Sequence, residues 1–169
     1  CANAVKFQLV IADELATIDY KHYKLFKSLE LSYEDWSLVA SCASALKIDL
    51  IFDIFGYESL AIAAKLDAKS VKLHPTDFNN SSLLHAIVES RSFNNVIAGC
   101  GGSSKADILS TLHILNAIEN ITLLHGFQGY PTATTDNCLH RLQQYHDIAL
   151  QTPNSVSLGF ADHADPLTP

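Results

Sequence analysis

No apolar run in this chain reaches the roughly 18 residues needed to cross a bilayer, so no membrane-spanning helix is expected. Positive charge is scarce. Eleven Lys and Arg against 18 Asp and Glu leave a formal net charge of −7, which argues against nucleic acid as the main partner. It leaves room for one basic pocket in an acidic protein. The four cysteines, Cys1, Cys42, Cys100 and Cys138, form no CxxC pair. They read as reduced, mostly packed thiols of a cytoplasmic protein. There is no initiator methionine and no signal-like opening. The chain begins in what reads as a strand, "ANAVKFQLV", and stops just after another, so a piece of a longer protein is expected. What is present suits one domain with a sizeable core: 169 residues, 48% hydrophobic and 17% charged.

Strand and helix patterns alternate along the whole length. The strands read as 4–10, 49–54, 70–75, 95–100, 121–126 and 156–162, short apolar runs rich in Val, Ile and Phe. Such runs mark strands buried on both faces. Between them lie helical stripes: Trp36, Val39, Ala40, Ala43 and Leu46 after a Ser32 cap; Leu83, Leu84, Ile87 and Val88 after Asn79 or Asn80; Ile108, Leu112, Leu115 and Ile118 after Ser104 and Asp107. Segments 57–66 and 136–148 supply further helices. Strict alternation implies a parallel sheet with helices outside. The dinucleotide fingerprint GxGxxG is missing after the first strand. "AGCGGSS" lacks the Walker lysine spacing and reads as a tight strand-to-helix turn. The expected fold is therefore α/β, a partial (β/α)8 TIM barrel of six parallel strands.

Active sites of such barrels lie at the C-terminal ends of the strands. The polar residues placed there are Lys6, Gln8, Asp53, Lys72, His74, Asp77, Cys100, His125, Gln128, Tyr130, Asp162 and His163. Residues two apart share a strand face, so Lys6 goes with Gln8 and Lys72 with His74. A lysine inside an apolar strand needs an anion or a carboxylate. A structural ion pair would satisfy one lysine, whereas two favour a site for an anionic substrate. His125 and His163 each end an apolar strand. Histidine suits divalent transition metals, and two imidazoles plus water leave positions open for a substrate oxygen.

At these strand ends the chain resembles the sialic acid synthase family, which makes N-acetylneuraminic acid and relatives such as legionaminic and pseudaminic acid. "NAVKFQ" is similar to the family's "DAVKFQ", "LELSYEDW" to "LELSxxxW", and "KLHPTD" to "KIASGD". "LLHGFQGYP" is similar to "LLHCxSxYP", and "LGFADHA" to "VGxSDHT". The order is kept over essentially all 169 residues. The resemblance places the chain at the second through seventh barrel strands, without the first strand, the last strand and a small antifreeze-like C-terminal domain. It implies condensation of phosphoenolpyruvate with an N-acylated amino sugar such as N-acetylmannosamine, with release of phosphate. Mn2+ or Mg2+ is implied, held by His125 and His163, which would then lie within about 5 Å of each other. Lys6, Lys72 and Asp77 become the catalytic set, the lysines holding phosphate and carboxylate charge and pointing into the barrel. Gln8, Asp53, His74, Cys100, Gln128, Tyr130 and Asp162 become substrate-binding residues. A homodimer is implied for the full-length protein, and the fragment alone is expected to be inactive.

Three departures stand out. Asp53 replaces a threonine near the phosphate, Pro75 replaces a serine, and Gly99, Cys100 and Gly101 replace "STG". A carboxylate there repels phosphate unless a lysine pairs with it, so Asp53 is expected beside Lys6 or Lys72. His74 and the backbone amides of the Gly101–Gly102 turn are candidate substitutes for the missing hydroxyls. Two other readings stay open: an aldol-type barrel enzyme with a different carbonyl donor, and a degenerate barrel serving a binding role in a larger biosynthetic protein.

Overall fold

The structure is a computed structural model that describes residues 2–153 and 155–165. Six strands form one sheet: β1 (Ala4–Gln8), β2 (Asp49–Asp53), β3 (Ser70–Leu73), β4 (Asn95–Gly99), β5 (Asn120–His125) and β6 (Ser155–Phe160). All neighbours are parallel, and the spatial order equals the chain order. A doubly wound sheet reverses direction at a switch point. A sheet that keeps winding one way is a (β/α)8-type barrel wall, and these six strands are such a wall.

Between the strands run α1 (Ala12–Leu15), α2 (Tyr23–Leu29), α3 (Tyr33–Ala45), α4 (Tyr57–Lys65), α5 (Ser81–Ser90), α6 (Lys105–Ile114) and α7 (Arg141–Ala149). The caps are local. Ser32 with Asp35 and Ser104 with Asp107 form capping boxes, and Asn80 rather than Asn79 accepts from Leu83 N–H. The expected stripes pack inward, with Trp36 edge-on to Phe52 at 5.3 Å between ring centroids. Leu46 is the exception: it follows the last turn of α3 and is exposed. Segment 11–31, which shows no helical stripe, carries α1 and α2, and α2 has no buried residue.

Period-two alternation separates two faces. Phe52, Val71, Leu73, Val96, Ala98, Ile121 and Leu123 are buried against the helices. A fully buried apolar side chain contributes about 1.5–3 kcal/mol, so this helix-side layer holds the sheet. The opposite face carries Lys6, Gln8, Asp53, Lys72, Gly99 and Leu124, which line a cavity of about 280 Å3.

Candidate active site

Strand register builds the site. Gln8 sits opposite Asp53, and Asp53 opposite Lys72, so three polar residues lie level across β1, β2 and β3. All three are the last or next-to-last residue of their strand, at the C-terminal mouth expected of a barrel. Lys6, one inward-facing position earlier on β1, reaches up to Asp53.

Asp53 is the centre of this cluster, with its side chain 2% exposed. Lys6 Nζ donates to its Oδ2 at 2.6 Å, and Lys72 Nζ lies 3.4 Å from its Oδ1. His74 Nε2 is 3.6 Å from Oδ2, longer than a hydrogen bond. Burial alone would raise the Asp53 carboxyl. The neighbouring His74 and Lys6 groups and the Lys72 charge outweigh it and hold the carboxyl below its ordinary value. Burial pushes Lys72 the other way, below the ordinary lysine range, opposed by Asp53 and reinforced by Lys6. Both lysines thus face the cavity with Asp53 between them.

His74 follows β3 and begins a 3-10 turn, Pro75–Asn79. Its ring stacks on Phe55 at 5.1 Å, and its backbone N–H donates to Asp77 Oδ2 at 3.3 Å. In the sequence Phe55 reads as one more apolar residue after β2. Asp77, expected among the catalytic residues, does not line the cavity. Its carboxyl is raised by burial and caps the turn that carries His74.

Gln128 and His163 also line the cavity. His163 Nδ1 is hydrogen-bonded to Phe127 O at 2.8 Å, which leaves Nε2 as the available ring nitrogen. Gly101 is in the wall because a Cβ there would collide with Gly126 O and Gln128. Gly102 has φ +80° and lines a second cavity instead. Among the described residues, then, only half of the Gly101–Gly102 turn faces this site.

Several expected residues lie elsewhere. Cys100 is fully buried, and its carbonyl accepts from Tyr145 OH of α7. Burial pushes its thiol up to about 12. Cys100 is a packing residue on the helix side, not a cavity residue. Tyr130 is 73% exposed, with its ring edge toward His163 at 6.3 Å. Asp162 is exposed and accepts from Ala164 N–H. Neither lines the cavity.

The two histidines have different surroundings. His125 shares the helix-facing side of β5 with Ile121 and Leu123. Its Nε2 is hydrogen-bonded to Asn137 O at 2.6 Å, and its ring lies 5.6 Å from Tyr145. His125 lines the second cavity and His163 the first. No cluster of three or more His, Cys, Asp or Glu side chains fit for a metal occurs among the described residues. The two cavities adjoin, sharing Gly126 and Gln128, and His125 Nδ1 is buried with no hydrogen-bond partner among the described residues. Inward from β5 the structure presents Leu124 and Gly126 in place of His125.

Similarity to known proteins follows the fold. The chain is 27% identical over 164 residues to the uncharacterized protein MJ1065 of Methanocaldococcus jannaschii, covering 96% of this chain and 47% of that protein. It is 25% identical over 180 residues to the N,N'-diacetyllegionaminic acid synthase of Legionella pneumophila, covering 96% and 49%. The chain spans about half the length of these relatives. Among solved structures it is similar to an N-acetylneuraminic acid synthetase from Leptospira borgpetersenii crystallised with citrate. The TM-score is 0.84 at 22% identity, over 99% of this chain and 56% of that one. It is also similar to the spore coat polysaccharide biosynthesis protein spsE of Bacillus subtilis, with TM-score 0.77 at 20% identity, over 96% and 45%. These two likenesses show the shared barrel wall. The match to the family model runs over residues 1–168, and the chain belongs to the NeuB family.

Proposed function

We propose that the protein containing this chain condenses phosphoenolpyruvate with an N-acylated amino sugar of the N-acetylmannosamine type. The products are a sialic acid-type nonulosonic acid and phosphate. The observation that carries this reading is the Lys6–Asp53–Lys72 cluster in a cavity at the C-terminal ends of parallel strands. Two ammonium groups on a low-dielectric wall suit a donor with phosphate and carboxylate charge. Lys72, the more buried, would hold the phosphate side, and Lys6, 39% exposed, is the one able to follow the donor. The donor methylene attacks the sugar aldehyde and forms a C–C bond. Water then adds at the resulting cationic carbon, and phosphate leaves by C–O cleavage. Gln8 and Gln128 would orient the sugar through their amides. His163, whose Nδ1 is taken by Phe127 O, would turn its Nε2 toward the substrates at this mouth. A cytoplasmic homodimer is part of the same proposal.

The test is phosphate release by the full gene product from phosphoenolpyruvate, with a panel of 2-acylamino sugars, with and without manganese. Release that depends on one of the sugars is expected. Sugar-independent release, or none, overturns the reading.

The lowered basicity of Lys72 supports a second reading, an aldol-type enzyme whose lysine forms a Schiff base with a carbonyl donor. Borohydride trapping of pyruvate on Lys72 would select that alternative.

A further inference from the structure

The carboxylate in the cavity creates a charge problem for any phosphate donor. Lys6 and Lys72 supply two positive charges and Asp53 removes one, so the trio offers one net charge to a dianion. Asp53 is not free to leave. It is 2% exposed, and Lys6 already holds its Oδ2 at 2.6 Å. A charge left uncompensated at such depth is costly.

The adjoining titratable ring is His74. Its Nε2 is buried, has no hydrogen-bond partner, and stops 3.6 Å from Asp53 Oδ2. A protonated Nε2 facing a carboxylate would close to hydrogen-bond distance, as Lys6 Nζ does. The ring is held by other contacts, stacking on Phe55 and the backbone bond to Asp77. The ring is therefore held where a proton on Nε2 would face Asp53.

We propose that His74 is a proton-uptake residue: a phosphate-type dianion enters this cavity together with one proton from solvent, held at His74 Nε2 between the anion and Asp53. The inference rests on reading the cavity as the donor's phosphate site. For the phosphate group the charge count then closes. Lys6, Lys72 and an imidazolium supply three positive charges, Asp53 and the dianion three negative. The charged groups around the ring are Asp53 on β2, Lys6 on β1, Lys72 on β3 and Asp77 on the following turn, and His163 lines the same cavity. A carboxylate monoanion matches the trio without a proton. His74 thereby becomes a specificity-determining residue for dianions.

The test is titration calorimetry of the full gene product with inorganic sulfate, which stays a dianion near neutral pH. Two buffers of different ionisation enthalpy are used at pH ~7.5. Wild type is expected to take up about one proton per sulfate, and none with pyruvate. His74→Gln is expected to bind sulfate roughly tenfold more weakly and without uptake. Asp53→Asn, whose two lysines already match a dianion, is expected to bind more tightly and without uptake. Sulfate binding by wild type without uptake, a result independent of how any variant folds, overturns the role of His74. So does uptake that persists in His74→Gln. Either result leaves the donor reading standing. Failure of wild type to bind sulfate or phosphoenolpyruvate overturns the donor reading and this proposal with it.

Discussion

Asp53 is held ionised by what surrounds it, and the sign of that effect has consequences for stability. Its carboxyl is lowered in the fold despite burial, so the folded state binds its proton less readily than the unfolded chain. The stabilisation is present above the ordinary aspartate range, about pH 3.9, and is lost as pH falls through the folded value. Removing one partner of such a pair costs about 1–3 kcal/mol. Asp53→Asn should therefore melt below wild type at neutral pH, and the gap should narrow on acidification toward pH ~3. Equal gaps at both pH values would show that Asp53 is not ionised in the fold. Lys72 is tested by function. Lys72→Ala should raise the phosphoenolpyruvate requirement or abolish phosphate release, and unchanged kinetics would remove Lys72 from the site. The side chains legible in the sequence are those whose strands alternate in polarity. Lys6 with Gln8, and Lys72 with His74, declare their common face because apolar residues separate them. Cys100 and His125 end runs that are mostly apolar on both faces, "NVIAGC" and "ITLLH". A strand buried on both faces carries no such parity signal, so their outward orientation was hidden.

At the scale of elements, local signals were legible and long-range ones were not. The Ser32 box is contained in four residues: Ser32 Oγ accepts from Asp35 N–H, and Asp35 accepts from Ser32 N–H. Ser32→Ala should lower stability by about 1 kcal/mol, while Ser32→Asp should keep most of it, as read in thermal melts. Helix α4 is capped from far away. Glu14 of α1 accepts from the Glu58 and Ser59 N–H groups, 44 and 45 residues on. A Cβ at Gly56 would strike the Glu14 carboxylate, so a larger residue there would have to displace this cap. The short α1, without a stripe of its own, is thus explained by the cap it presents. Glu14→Ala should cost about 1–2 kcal/mol with no effect on anion binding in the cavity. A loss of binding equal to the loss of stability would mean that α1 also shapes the site.

At the scale of the molecule, alternation gives a parallel sheet with right-handed crossovers, and the missing GxGxxG weighs against the doubly wound order and for the one in which each strand lies beside the last. What alternation does not supply is closure. Among the described residues β1 pairs only with β2, and β6 only with β5. Both edges therefore present unpaired backbone groups. Beside β1 lies an apolar hollow of about 440 Å3 lined by Val5, Phe7, Leu38 and Leu46, of which Phe7 is 37% exposed. On the other edge Phe160 is 38% exposed. Unpaired edges with exposed apolar side chains template association between chains. Residues 1–169 expressed alone should therefore aggregate or populate soluble oligomers, and should lack synthase activity. Light scattering and the soluble fraction measure the first, phosphate release the second. A single charge on the edge blunts such pairing, so Phe7→Lys should raise the soluble fraction even though it gives up the 6.0 Å edge contact with Trp36. A monomeric, cooperatively melting, active polypeptide would show that neither edge needs a partner. An unchanged soluble fraction in Phe7→Lys would place the association at another surface.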